Sequence, residues 1–178
     1  MLEGKRVRLR PIKRADIDLF LKWFNDPEVT RNLIMYLPMT ETAEEKWIDD
    51  AMKAQRPVFV IEGMRDGGWK PIGNCGFHDI KEKDKVATFG IAIGEKSFWG
   101  NGYGTEAAKL IIDYGFKFLN LHKIESEAFA FNEKSIRMHK KLGFVVEGCR
   151  RQRTYKEGKY HANILFGLLW EEWEAIKK

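Results

Sequence analysis

Apolar side chains recur along this chain at two periods, and the switches between them mark its elements. Arg6-Val7-Arg8-Leu9-Arg10 alternates charged and apolar residues, which predicts a half-buried strand stopped at Pro11. Ile17, Phe20, Leu21 and Phe24 then return at helical spacing, and Asn25-Asp26-Pro27 ends that helix. Residues 28–41 carry no period, with Met35, Tyr36, Leu37 and Met39 clustered around Pro38. Thr42-Ala43-Glu44-Glu45 reads as a capping box opening a second helix, which puts Ala43, Trp47, Ile48 and Ala51 on one face and closes at Arg56-Pro57. Val58-Phe59-Val60-Ile61 is a buried-type strand, Arg65-Asp66-Gly67-Gly68 a turn, Ile72 to Phe77 another strand, and Lys81 to Lys85 a charged turn.

The second half is organised around residues 86–120. An apolar strand from Val86 runs into Gly100-Asn101-Gly102-Tyr103-Gly104, and an amphipathic helix follows, with Ala108, Ile111, Ile112, Gly115 and Phe118-Leu119 along one side. Lys123 to Ala130 alternates as a strand, with Ile124, Ser126, Ala128 and Ala130 on one face and Glu125, Glu127 and Phe129 on the other. Asn132 caps a helix over 133–142 that Gly143 terminates. A strand from Phe144 to Gly148, a turn at 156–159 and a last strand near Ala162–Leu169 complete the pattern. These elements predict one α/β (α+β) domain over residues 1–178. Its mixed central sheet has about seven strands, flanked by about four helices and a short C-terminal helical end.

Composition narrows the class. Hydrophobic residues at 44% and aromatics at 13% in 178 residues are those of a globular chain with a sizeable core, not a disordered or fibrous one. No apolar run is long enough to span a bilayer and Met1 to Arg6 is no signal peptide, so the expectation is a soluble, cytoplasmic protein with no membrane partner. Cys75 and Cys149 form neither a disulfide framework nor a metal pattern; buried structural thiols and no metal are expected. The net charge of +5 gathers in Lys5-Arg6/Arg8/Arg10 and Arg150-Arg151/Arg153. A solvated basic surface accounts for both clusters, as does a counterion for a phosphate-bearing ligand. No recognition helix, zinc pattern or RNA-binding aromatic motif supports nucleic acid, and none is expected.

Glycines between a strand end and a helix N-terminus let backbone N–H groups close on an anion, and the helix dipole adds to the attraction. A glycine-rich turn with no ligand is the bland alternative. A Walker A loop is excluded, because no Gly-Lys-Ser/Thr follows. A dinucleotide fingerprint fits poorly: Glu125 lies about twenty residues on, but the third glycine is out of register and hairpin strands come first.

Phe98-Trp99-Gly100-Asn101-Gly102-Tyr103-Gly104-Thr105-Glu106-Ala107, then a strand, then Asn132-Glu133-Lys134-Ser135-Ile136 and Lys141-Leu142-Gly143-Phe144 resemble the GNAT superfamily of acetyl-CoA-dependent N-acetyltransferases. Val7 to Pro11 and Leu168 to Trp173 are similar to its branch of ribosomal-protein N-terminal acetyltransferases (RimJ/RimL type). The resemblance implies acetyl-CoA as co-substrate, with pyrophosphate on the backbone of Trp99, Gly100, Asn101, Gly102, Tyr103, Gly104 and Thr105. The pantetheine arm pairs with Ile91, Ala92 and Ile93, and an N–H near Ile93 faces the thioester oxygen. Asn132 corresponds to a cofactor-contacting asparagine, and Ser135 shares its helix face. Trp99 stands where members usually carry Gln or Arg. His139 stands where many carry a tyrosine that protonates the departing thiolate, and Glu127 where some carry the base for the acceptor ammonium; Glu125, His78, Asp79 and Glu95 are weaker bases. The acceptor is a primary amine, from a protein N-terminus or a small molecule such as a polyamine or amino sugar. Its site is expected from residues 25–39 and the hairpin near 155–162. A homodimer fits the class, as does a non-catalytic acyl-CoA-binding module of the same fold.

Overall fold

The computed structural model describes residues 1–177. The chain opens with strands β1 (Leu2–Glu3) and β2 (Val7–Pro11), then helices α1 (Ile17–Phe24), α2 (Pro27–Thr30) and α3 (Glu41–Lys53). Strands β3 (Val58–Arg65), β4 (Gly68–Lys81) and β5 (Val86–Ile93) follow, then α4 (Tyr103–Lys117), β6 (Lys123–Phe129), α5 (Glu133–Lys141), β7 (Val145–Lys156), β8 (Lys159–Leu169) and α6 (Trp170–Ile176). The strands bond in the order β1-β2-β3-β4-β5-β6-β8-β7, giving an eight-stranded mixed sheet. The strand beyond the expected seven is β1, whose two residues pair antiparallel with Leu9 and Arg8. The unexpected helix is α2, one turn with Pro27 at its start and the Asp26 carboxylate accepting from the Glu28 N–H at 2.9 Å. One turn is too short to show a period.

By packing, the chain divides into two compact units. One holds Met1–His78 and Gly90–Ile111, the other Asp79–Phe89 and Ile112 onward.

In the first unit, α1 and α3 bury Phe20, Trp23, Ile48 and Ala51 with Ile12, Val29 and Val60. Phe20 is the hub, with ring centroids 5.9 Å from Trp23, 5.8 Å from Phe24 and 6.1 Å from Trp47. Each such side chain contributes about 1.5–3 kcal/mol on leaving water. The cap of α3 is Thr40, whose hydroxyl accepts from the Ala43 N–H at 3.3 Å, not the expected Thr42. On β2, Val7 and Leu9 are fully buried while Arg8 and Arg10 turn to the opposite face. There Arg8 Nε lies 2.5 Å and Arg10 Nε 2.8 Å from the two oxygens of Glu62, the residue opposite Arg8 in the β2–β3 register. Arg10 also meets Asp16 at 2.7 Å, which drives its guanidinium pKa further above the ordinary value. Two arginines of the first basic cluster are therefore consumed by an internal ion network.

In the second unit, β6 runs antiparallel to β8 (Ile124 opposite Leu168) and parallel to the start of β5 (Val86 opposite Lys123 through Thr88 opposite Glu125). Ile124, Ser126 and Ala128 are buried, as the alternation predicts. The Asn132 carboxamide accepts from the Ser135 N–H at 3.2 Å, and Gly143 ends α5 at φ 86°. The expected strand at 144–148 is only the first part of β7, which continues to Lys156 with most residues exposed on both faces. Cys75 is buried, and burial pushes its thiol pKa well up; Cys149 is exposed, against the expectation of two buried thiols.

Candidate active site

The first unit carries the glycine loop. Past Ile93, the Gly94 and Glu95 N–H groups both donate to the Ile72 carbonyl, at 2.9 and 3.0 Å. Gly94 permits a close approach there, because an added Cβ would collide with the Trp23 ring. A single 3₁₀ turn, Lys96–Phe98, then delivers Trp99. Gly100 and Gly102 take φ of 76° and 85°, left-handed backbone that costs an L side chain about 1–2 kcal/mol. Nothing lies within 4 Å of a Cβ built at Gly100, so the loop is open at that point. Gly104 is already helical, and its Cβ position is in ordinary contact with Ile93. A backbone turned by two left-handed glycines into a helix whose first N–H groups lack intrahelical partners fits a diphosphate.

Trp99 has a role the sequence did not reveal. Its indole N–H donates to the Ile93 carbonyl at 2.7 Å, while the ring packs on the α1–α3 core. The side chain ties the end of β5 to the start of the loop. Its indole thereby occupies the Ile93 carbonyl, one group of the expected backbone rail for pantetheine.

The second unit holds the other sequence candidates. Asn132 and Ser135 face each other across the first turn of α5, as their spacing predicts. His139 sits in a different environment from the one its motif position predicts. It is 2% exposed, stacked on Phe166 (4.5 Å, 12°) and edge-on to Phe144 (5.0 Å) and Phe89 (6.3 Å). Nδ1 lies 2.8 Å from the Ser135 carbonyl, which can only accept, so Nδ1 carries the proton. Nε2 lies 2.8 Å from Ser126 Oγ, which is also 3.1 Å from the Phe89 carbonyl. Burial lowers the imidazole pKa, opposed by the Ser135 carbonyl, and favours the neutral ring. Both nitrogens are committed inside the aromatic core, which argues against His139 as a proton donor to a thiolate.

Glu127 is on the exposed face of β6. Its carboxylate lies 3.4 Å from Arg150 Nη1 and 3.4 Å from Asn163 Nδ2, and the buried Asn163 is itself held by the Thr154 hydroxyl at 3.0 Å. These long bonds orient the carboxylate and leave it open to water. Glu125 is taken by Lys123 at 3.3 Å, and Lys123 also meets Glu147 at 2.8 Å. Glu95 accepts from the Ser97 hydroxyl at 3.1 Å.

The expected acceptor-side residues divide sharply. Tyr36 and Leu37 are 83% and 66% exposed, which sets aside a core role for them. Asp26 and Glu28 share Lys96 at 2.8 and 2.7 Å. Glu44 is 1% exposed on α3, its Oε1 has no hydrogen-bond partner, and burial lifts its pKa to about 7. A Glu two positions into a Thr-x-Glu-Glu run reads as a capping residue, so nothing in the sequence marked its burial.

Among the described residues no group of His, Cys, Asp and Glu is arranged to hold a metal, and no helix is long and apolar enough to cross a membrane. Residues 6–145 match the family described as acetyltransferase (GNAT) domain. The chain is 31% identical over 177 residues to an uncharacterised N-acetyltransferase, p20, of Bacillus licheniformis, covering 97% of each. It is 32% identical over 182 residues to the spermidine N(1)-acetyltransferase of Escherichia coli K12, covering 100% of this chain and 94% of that one. A putative ribosomal N-acetyltransferase of Bacillus subtilis, YdaF, is 33% identical over 59% of this chain and 57% of its own. Among solved structures, a Vibrio cholerae spermidine N-acetyltransferase in complex with CoA and spermine superposes with a TM-score of 0.88. It is 22% identical, over 96% of this chain and 99% of that one.

Proposed function

The chain belongs to the acetyltransferase (GNAT) family and is an acetyl-CoA-dependent N-acetyltransferase; from that premise we propose that its acceptor is the primary amine of a small polyamine. The observation that carries the acceptor class is the likeness to spermidine N(1)-acetyltransferase along the full length of this chain. A ribosomal-protein N-terminus, the RimJ/RimL-type reading, rests on a relative matched over 59% of the chain and is the second choice.

In this reading the pyrophosphate of CoA rests on the N–H groups from Trp99 to Thr105. Ile91, Ala92 and the Ile93 N–H receive the pantetheine arm, and the Asn132 carboxamide and Ser135 complete the cofactor contacts. Glu127, directly or through water, removes a proton from the acceptor ammonium. The amine nitrogen attacks the thioester carbonyl, the oxyanion forms on backbone N–H near Ile93, and collapse breaks the C–S bond; the surplus proton on the nitrogen passes through water to the departing thiolate, leaving amide and CoA thiol. An alkyl thiolate is a competent leaving group without a dedicated acid, and His139 serves as scaffold. Equimolar spermidine, an amino sugar and Ser-, Ala- and Met-initiated peptides incubated together with acetyl-CoA test the acceptor by mass spectrometry. Acetylspermidine as the dominant product supports the reading; a dominant acetylated peptide moves the protein to the N-terminal branch.

A further inference from the structure

The helix assigned to the pyrophosphate carries a carboxylate in its own first turn. Glu106 is three residues inside α4, and an acid there opposes any anion approaching the same N-terminus. A residue from a distant part of the chain lies against that carboxylate. The Arg6 backbone N–H donates to Glu106 Oε1 at 2.7 Å, and its guanidinium Nε lies 3.4 Å from Oε2. The same guanidinium lies over the Tyr103 ring at 4.7 Å and donates through Nη2 to the Asn101 carbonyl at 3.3 Å. A Cβ built at Gly102 would sit 3.4 Å from that Nη2. Arg6 lies just ahead of β2, with its carbonyl accepting from the Met64 N–H at 2.8 Å, and the Met64 carbonyl in turn accepts from the Tyr103 hydroxyl at 2.9 Å.

We propose that Arg6 is a positioning residue for cofactor binding: it neutralises Glu106 and holds the Asn101–Tyr103 backbone, so that the loop presents donors without a competing negative charge. Arg8 and Arg10, two and four residues on, are spent on Glu62 and Asp16, whereas Arg6 turns to the loop. The inference rests on the loop being the pyrophosphate seat.

The test is a charge-removal cycle in which CoA Kd, KM for acetyl-CoA, kcat and melting temperature are measured on R6M, E106Q and R6M/E106Q. Gln keeps the oxygen that accepts the Arg6 N–H and removes only the charge. R6M is expected to raise Kd and KM about tenfold at low salt, less at high salt, with kcat kept. E106Q is expected to bind CoA at least as tightly as the unaltered protein. R6M/E106Q is expected to recover to within about threefold, one rim-charge interaction of ordinary size. A double variant as weak as R6M overturns the proposal, since Arg6 then acts on the phosphate itself or only as a brace. R6M with unaltered Kd and KM overturns it as well. Gly102→Val serves as the control on the premise: if it too leaves CoA affinity intact, the loop assignment has failed, not the Arg6 role alone.

Discussion

Replacing Glu44 by glutamine is expected to change the pH dependence of stability, with a sign fixed by burial. The folded protein holds this carboxyl near pKa 7 against an ordinary 4.5. Below pH 4.5 the group is protonated folded or unfolded and contributes no pH dependence. Between 4.5 and 7 the folded state keeps a proton that the unfolded chain has released, so stability falls as pH rises; above 7 the loss is complete and level. At 1.36 kcal/mol per tenfold change in the proton equilibrium, the full loss is about 3 kcal/mol. Glutamine has the same shape and no proton to lose. Urea unfolding of both proteins at intervals from pH 4.5 to 8 removes every other titration by subtraction. The difference in unfolding free energy is expected to move toward E44Q by about 2–3 kcal/mol across that range. A constant offset from the glutamine amide is compatible with the reasoning; curves that stay parallel at every pH refute it, because Glu44 would then ionise normally.

Three further substitutions probe the site. Gly102→Val forces a β-branched residue into φ 85°, and is expected to raise CoA Kd at least about tenfold while costing about 1–2 kcal/mol of stability, read by calorimetry and melting. Glu127→Gln is expected to lower kcat by about 10²–10⁴ at neutral pH with CoA affinity within about twofold; full activity would move the base role elsewhere. His139→Ala opens a void among Phe89, Phe144 and Phe166, so about 2–4 kcal/mol of stability is expected to be lost with kcat per folded molecule within about threefold. A fall in kcat of a hundredfold in a folded variant would return His139 to the role of acid.

What the sequence made legible follows from how local each feature is. Asn132 and Gly143 bracket α5 correctly because a cap bonds to residues within one turn. The glycine loop was legible because glycines at alternate positions between a strand and a helix are a local signal, and two of them take left-handed backbone. Features set by distant partners were not. The pairing of His139 with Ser126 and its stacking on Phe166 depend on strands 13 and 27 residues away, and the motif position pointed to another role. Arg8 and Arg10 looked like solvated charge because Glu62 reaches them only once β2 and β3 pair, and Asp16 reaches Arg10 only once the chain turns back after Pro11. The second half of β7 leaves no signal in the sequence because a strand exposed on both faces has no alternation to detect. The capping-box pattern points to Thr42 because Glu45 stands three residues on, whereas the backbone turn places the cap at Thr40.

The claim that direct acetyl transfer occurs at this site is tested most directly by following thiol release from acetyl-CoA against acetylated amine in the same reaction. Release is expected to depend on the amine and to match product one for one, with spermidine the fastest acceptor of the panel. CoA binding with no amine-dependent release across the whole panel would contradict it, and would leave a module that binds the cofactor without using it.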